Sequence, residues 1–121
     1  MVQDERPVYL APRARDGLAT YMSEDELLQA ITEAATFLGW RWHHVRRSDL
    51  ALQQGHSGYP DLTLAKEGRL VFLELKSMIG VVTADQEAWL EELSGTEGVN
   101  VLVVRPDRLD AILRMLGATV R

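Results

Sequence analysis

Three charged residues attract attention because a β-hairpin would bring them to one face of a sheet. Two alternating apolar segments, 61–65 and 70–76, are joined by the turn-like stretch 66–69. Asp61 begins the first segment, and Glu74 lies near the end of the second. If residues 67 and 68 form a two-residue turn, Asp61 lies opposite Glu74 in the antiparallel ladder. Lys76, two residues after Glu74, then projects from the same face. The sequence therefore predicts two carboxylates and an ammonium group close together.

This arrangement suggests metal-dependent chemistry on a phosphoryl group. Two carboxylates about 5 Å apart repel each other by about 3 kcal/mol at an effective dielectric of about 20. A divalent cation between their oxygens would offset that repulsion, and oxygen ligands without cysteine suit Mg²⁺ or Mn²⁺. The ammonium of Lys76 could orient a water molecule and stabilise charge that develops on the phosphoryl oxygens.

The elements that must position these residues can be predicted from capping signals and periodicity. Two capping boxes, Ser23 to Glu26 and Thr83 to Gln86, each open an amphipathic helix. The connection from the hairpin through the second helix should be a right-handed parallel crossover. We therefore expect an α/β fold, a mixed four-stranded sheet flanked by helices in the order αβββαβα. The predicted ranges are helix 24–38, strands 40–47, 61–65 and 70–76, helix 84–93, strand 99–104 and helix 106–116.

Composition bounds the class of protein. The chain has 121 residues, 46% hydrophobic and 26% charged, which is typical of one globular domain. The absence of cysteine excludes disulfide scaffolds, thiolate zinc sites and cysteine nucleophiles. No apolar run approaches a membrane span, so we expect no membrane association, no secretory signal and a cytoplasmic location. We expect an irregular arm at 1–22, a single domain at 23–117 and a tail at 118–121.

Pro60-Asp61, followed by Glu74-Leu75-Lys76, matches the PD-(D/E)xK nuclease signature. Further residues match one branch of that superfamily in the same order: Gly39, Trp40, His44, Gly58, Tyr59, Leu62, Phe72, Leu73, Gly80, Thr83, Gln86, Trp89, Leu90, Leu93, Arg105 and Pro106. On these residues, roughly 23–116, the chain resembles the stand-alone VRR-NUC domains common in phages. If the chain is phage-encoded, its location would be the host cytoplasm.

The resemblance implies a restriction-endonuclease-like core and a Mg²⁺- or Mn²⁺-dependent endonuclease that hydrolyses DNA phosphodiesters. Related domains resemble Holliday junction resolvases, which implies a homodimer acting on branched DNA. The implied site has Asp61, Glu74 and the Leu75 carbonyl as metal ligands, Lys76 at the attacking water, Glu26 as the acid of the first helix and Gln86 as a supporting residue.

Several of these assignments leave alternatives open. Glu26 and Gln86 each occupy the third position of a capping box, which explains them without catalysis. Glu24 and Glu33 are alternatives to Glu26. The net charge of -5 weighs against nucleic acid as a partner and favours, as an alternative function, a non-catalytic nucleic-acid or protein-binding module on the same fold. The candidate DNA-binding residues are Arg41, His44, Arg46, Arg47 and His56.

Overall fold

The computed structural model describes residues 10–11, 22–45 and 54–120, with the backbone alone at residues 10 and 11. Its helices are α1 (Glu24–Phe37), α2 (Ala84–Ser94) and α3 (Leu109–Leu116), and a 3₁₀ turn at Pro106–Arg108 leads into α3. Its strands are β1 (Leu10–Ala11), β2 (Arg41–His44), β3 (Leu62–Lys66), β4 (Arg69–Leu75), β5 (Val99–Val104) and β6 (Thr119–Val120).

The main sheet has four strands in the order β2-β3-β4-β5. β2, β3 and β4 pair antiparallel, and β4 pairs parallel with β5 through the crossover helix α2. The mixed four-stranded sheet flanked by helices is therefore confirmed. In addition, β1 and β6 form a two-residue parallel pair, where the sequence indicated only an arm and a tail.

The register of the β3–β4 hairpin agrees with the prediction. Lys66 pairs with Arg69 across the turn, and Leu62 pairs with Leu73. Glu67 and Gly68 have φ angles of 47° and 80°. Two consecutive positive φ values are typical of a type I′ turn, whose twist matches that of the strands. This register places Asp61, one residue before Leu62, beside Glu74.

The hydrophobic core lies between one face of the sheet and the helices α1 and α3. Trp40, 4% exposed, closes this core, and its Nε1 donates to the carbonyl of Leu116 over 2.8 Å. The helix α2 contributes no fully buried residue. The core residues are Leu27, Ile31, Ala34 and Ala35 of α1, Leu62, Leu64, Val71, Leu73, Leu75 and Val104 of the sheet, and Leu109, Ile112, Leu113 and Leu116 of α3, with Trp40 and Ala118.

Glu74 lies on the other face of the sheet. Its neighbours Leu73 and Leu75 both belong to the core cluster, and side chains alternate along a strand. The crossover helix α2 lies on this face, because Gln86 in its first turn donates to Glu74. In the part of the chain that the structure describes, no helix is long and apolar enough to cross a membrane.

Candidate functional site

Glu74 is a buried carboxylate in which one oxygen accepts a hydrogen bond and the other has no donor among the described residues. Its exposed fraction is 1%. Oε1 accepts a 2.9 Å hydrogen bond from Nε2 of Gln86 and lies 3.9 Å from Nζ of Lys76. Oε2 is buried and has no hydrogen-bond partner among the described residues. A buried polar atom without a partner is costly, so this oxygen is a candidate ligand for a cation.

Asp61 is held in place through both its side chain and its backbone. Oδ2 accepts a 2.8 Å hydrogen bond from the backbone N–H of Leu75. The backbone carbonyl of Asp61 accepts from the N–H of Val45 over 3.0 Å and contacts Nδ1 of His44 at 2.9 Å. These bonds fix the carboxylate at the end of β4, next to Glu74.

The pKa of Glu74 is raised from 4.5 to about 8, and burial is the largest cause. The negative charge of Asp61, the approach of its carboxyl group to within reach of a shared proton and, least, the charge of Glu24 also contribute to this rise. The ammonium of Lys76 acts in the opposite direction and lowers it. Two carboxylates in such an environment are stable together only if they share a proton or a cation.

Lys76 follows β4 directly and lies on the same side as Glu74. Its backbone N–H donates to the carbonyl of Val104 over 3.0 Å, which extends the β4–β5 ladder by one residue. Its side chain is 11% exposed. At 3.9 Å from Glu74 the ammonium makes a charge contact, too long for a hydrogen bond. The ammonium therefore lies near the carboxylates but donates no hydrogen bond to Glu74.

Gln86 caps α2 and contacts the site with the same side chain. Its Oε1 accepts from the backbone N–H of Thr83 over 2.9 Å, and its backbone N–H donates to Oγ1 of Thr83 over 3.2 Å. The remaining amide group donates from Nε2 to Glu74. The predicted cap is therefore formed, and the same side chain contacts Glu74. A supporting role of Gln86 in catalysis stays a prediction.

The loop before β3 is fitted closely against the first turn of α2. Gly58 has a φ angle of 91°, and a Cβ added there would lie 2.5 Å from the backbone carbon of Asp85 and 2.6 Å from the nitrogen of Gln86. Ser57 donates from Oγ to Oδ2 of Asp85. Only glycine allows this approach at this backbone conformation, so the loop that leads to Asp61 and the helix that carries Gln86 position each other.

Aromatic contacts extend the same junction. Tyr59 makes edge-on contacts with Trp89 of α2, at 5.0 Å between ring centroids, and with Phe72 of β4, at 6.1 Å. The indole Nε1 of Trp89 donates to the carbonyl of His56 over 3.1 Å. Trp89 therefore packs against the loop on the site side of the sheet. It is half-buried and does not belong to the core cluster.

The structure separates the two acids in the first turn of α1. Glu26 completes the capping box: its Oε1 accepts from the backbone N–H of Ser23 at 3.3 Å and from Oγ of Ser23 at 3.1 Å. Glu24 is the acid whose charge acts on Glu74. A Cβ added to Gly80, in the loop after Lys76, would lie 3.4 Å from Oε1 of Glu24. Glu24 is therefore better placed than Glu26 to contribute to the site.

The candidate DNA-binding residues are not brought together by the described structure. His44 pairs with Leu62, a core residue, and its ring contacts the Asp61 carbonyl. Arg41 is exposed at the other end of β2, opposite Ala65. His56 is exposed in the loop before the motif. Arg46 and Arg47 lie outside the described residues. DNA contact by these residues stays a prediction.

Among the described residues, the candidate metal ligands centre on one carboxylate pair. Within residues 22–45 and 54–120, no three aspartate, glutamate or histidine side chains converge closely enough to hold a metal ion by themselves. The pair of Asp61 and Glu74 nevertheless fits a hard cation, because Oε2 of Glu74 is buried and unpartnered beside a second carboxylate. Backbone oxygen and water would have to complete the coordination.

Comparison with known proteins identifies the fold. No protein-family model and no curated protein matches the sequence. Among solved structures, a VRR_NUC domain protein is similar, with a TM-score of 0.59 and 20% sequence identity, over 83% of this chain and 93% of that chain. The resemblance to VRR-NUC domains is thereby confirmed as a shared restriction-endonuclease-like fold.

Proposed function

We propose that this protein is a metal-dependent endonuclease that hydrolyses phosphodiester bonds in DNA. The observation that carries the proposal is the buried Glu74 carboxylate, whose Oε2 has no partner in the described structure, placed beside Asp61 and Lys76. The similarity in fold to a VRR_NUC domain protein supports the same assignment. Buried groups with strongly shifted pKa values are concentrated at functional sites.

Mg²⁺ or Mn²⁺ is the proposed cofactor. Asp61 and Glu74 would hold it with their carboxylates, and the carbonyl of Leu75 would add a backbone oxygen. Glu24 is the preferred additional acid, because its charge already acts on Glu74. When bound, the cation would neutralise the carboxylates, polarise a phosphoryl oxygen and lower the pKa of a water molecule.

The protein side chains have distinct roles in this proposal. Lys76 donates from its ammonium to the attacking water or to a phosphoryl oxygen and stabilises the negative charge that develops there. Gln86 fixes the orientation of Glu74 through its hydrogen bond to Oε1. The bond from the Leu75 N–H to Oδ2 orients Asp61. Gln86 and the Leu75 N–H act through the hydrogen bonds described above, and Lys76 acts through its positive charge.

The preferred substrate is proposed to be branched DNA, including four-way junctions, and the active form a homodimer. Both proposals rest on the resemblance to junction resolvases. A panel of four-way junction, flap, duplex and single-stranded DNA tests the first, because the rate on branched DNA should exceed the rate on duplex. Sedimentation equilibrium tests the second.

The test of the nuclease function compares the two lysines of the chain. Lys76→Ala should lower the cleavage rate at saturating Mg²⁺ or Mn²⁺ by 100-fold or more, since it removes the charge at the site. Lys66→Ala is the matched control, because Lys66 lies in the β3–β4 hairpin. Its Nζ donates to the carbonyl of Leu38, at the end of α1, over 2.6 Å. Undiminished cleavage by folded, cleanly purified Lys76→Ala protein would contradict the mechanism.

The second candidate function is a non-catalytic binding module on the same fold, and the net charge of -5 favours it. The same substrate panel distinguishes the two functions. A binding module would retain DNA or a partner protein without turnover under any divalent cation. A nuclease would produce metal-dependent cleavage that is lost in Lys76→Ala.

A further inference from the structure

The loop after the Glu74-Leu75-Lys76 segment is held by a side chain from a different strand. Arg105 directly follows β5, and its Nη1 donates to the carbonyls of Ser77 and Gly80, both at 2.7 Å. A weaker contact of 3.4 Å reaches the carbonyl of Met78. The parallel register explains the placement, because the bond from Lys76 N–H to the Val104 carbonyl brings the next residue of each strand side by side.

The loop is also closed by its own hydrogen bonds. The backbone N–H of Gly80 donates to Oγ of Ser77 at 3.0 Å and contacts the Ser77 carbonyl at 3.3 Å. Together with Arg105, these bonds fix both ends of residues 77–80. The guanidinium of Arg105 and the loop's own hydrogen bonds thus together hold the four residues that follow Lys76.

This loop packs against two groups of the candidate site. A Cβ added to Gly80 would lie 3.3 Å from Cδ of Lys76 and 3.4 Å from Oε1 of Glu24. The backbone of Gly80 therefore lies close to both the stem of Lys76 and the Glu24 carboxylate. Movement of this backbone would change where the ammonium of Lys76 points.

We infer that Arg105 is a positioning residue that places the ammonium of Lys76 through the 77–80 loop. Among the described residues, the charges that shift the pKa of Glu74 are those of Asp61, Lys76 and Glu24. Arg105 instead contacts carbonyls of the 77–80 loop, so its expected effect on the site is through backbone geometry. A displacement of about 1 Å at a catalytic group can lower a rate by roughly 100-fold. The inference rests on the proposed function for its effect on rate, but the positioning itself can be observed without any activity.

The first test observes Lys76 directly. The chain contains two lysines, Lys66 and Lys76, so selective ¹³Cε labelling of lysine gives two NMR signals that a Lys66→Arg variant assigns. Arg105→Met, which keeps the length of the side chain but removes its donors, should shift the Lys76 signal and leave the Lys66 signal in place. Arg105→Lys, which adds a third lysine signal that is assigned by its absence from the unsubstituted protein, should restore the Lys76 signal, because an ammonium can also donate to several carbonyls.

The matched control is another arginine bonded to a carbonyl. Arg69 lies at the opposite end of β4, donates from Nη2 to the carbonyl of Met115 at 3.3 Å and stacks over the ring of Trp40. Arg69→Met should lower the melting temperature without a change in the Lys76 signal. Equal shifts of both lysine signals in Arg105→Met, or a shift of the Lys76 signal in Arg69→Met, would overturn the inference.

The second test is a double-mutant cycle on cleavage. Arg105→Met alone should lower kcat by 10- to 100-fold with little change in KM, since the substrate contacts remain. In the Lys76→Ala background, Arg105→Met should have almost no further effect on the residual single-turnover rate. If the double variant lost the product of the two single fold reductions in rate, Arg105 would not act through Lys76. If no cleavage occurs in any variant, the proposed function fails while the NMR result still decides the positioning role.

Discussion

Gln86 donates from Nε2 to Oε1 of Glu74 at 2.9 Å while its own Oε1 caps the helix that carries it. The third position of the α2 capping box is therefore a contact with the candidate site. The corresponding position of α1, Glu26, accepts hydrogen bonds from Ser23 alone in the described contacts. These two equivalent positions form a natural pair for comparison.

Removal of the two capping side chains should have different consequences. Glu26→Ala loses one capping interaction and should lower the free energy of unfolding by about 0.3–1.5 kcal/mol. Gln86→Ala loses the same kind of cap and also leaves Oε1 of Glu74 without this donor, which adds about 1–3 kcal/mol. Urea unfolding measures both effects. Cleavage should fall only in Gln86→Ala, and a folded but inactive Glu26→Ala protein would assign Glu26 to the site after all.

Stability should depend on pH through Glu74. Its pKa in the folded protein is raised to about 8 from 4.5, so the folded state retains a proton that the unfolded state has released between these values. The free energy of unfolding contributed by Glu74 is therefore fully present below about pH 4.5 and is lost as the pH rises towards 8. The melting temperature of the native protein should fall relative to that of Glu74→Gln over this range, whereas parallel pH profiles would contradict the raised pKa.

Divalent cations should stabilise the protein. Mn²⁺ should raise the melting temperature by mass action if it binds the folded state, and the effect should be larger at pH 8 than at pH 6 because the cation competes with the proton on Glu74. Differential scanning fluorimetry with Mn²⁺ or Mg²⁺ measures this shift. Glu74→Gln should abolish it, while Glu67→Gln in the hairpin turn should retain it. A salt-bridged pair without a cation site would show no Mn²⁺-specific shift.

The close fit of the loop before β3 to α2 should make Gly58 intolerant of a side chain. Gly58→Ala forces alanine into a positive φ, at about 1–2 kcal/mol, and drives its Cβ to 2.5 Å from the backbone of Asp85. Gly55 has a φ of 102° but nothing within 4 Å of an added Cβ, so Gly55→Ala reports the strain alone. Urea unfolding should show a clearly larger loss of the free energy of unfolding for Gly58→Ala than for Gly55→Ala. Equal losses would show that α2 moves enough to accommodate the added side chain.

Local chemistry made the hairpin and both helix starts predictable. A two-residue turn ending in Gly68 leaves one register that keeps Leu62 and Leu64 in the core, and the structure has that register. The capping boxes at Ser23 and Thr83 are likewise formed. In each case the controlling contacts lie within a few residues of one another, where sequence patterns carry information.

Sequence patterns could not predict contacts between distant segments of the chain. Glu24 and Glu26 share the first turn of α1, and only the rotation of that helix against the sheet decides which one approaches Glu74. Arg105 reaches its loop across 25–28 positions of sequence. The pairing of β1 with β6 involves two residues in each strand, too few to show an alternating pattern.

The hydrogen bond between Oδ2 of Asp61 and the Leu75 N–H determines how an inert form for trapping complexes should be made. An alanine at position 61 would remove the acceptor as well as the charge, and the end of β4 would fray. An asparagine retains an oxygen for that N–H while weakening any hold on a cation. Under the proposed function, Asp61→Asn is therefore the form best suited to co-crystallisation with DNA.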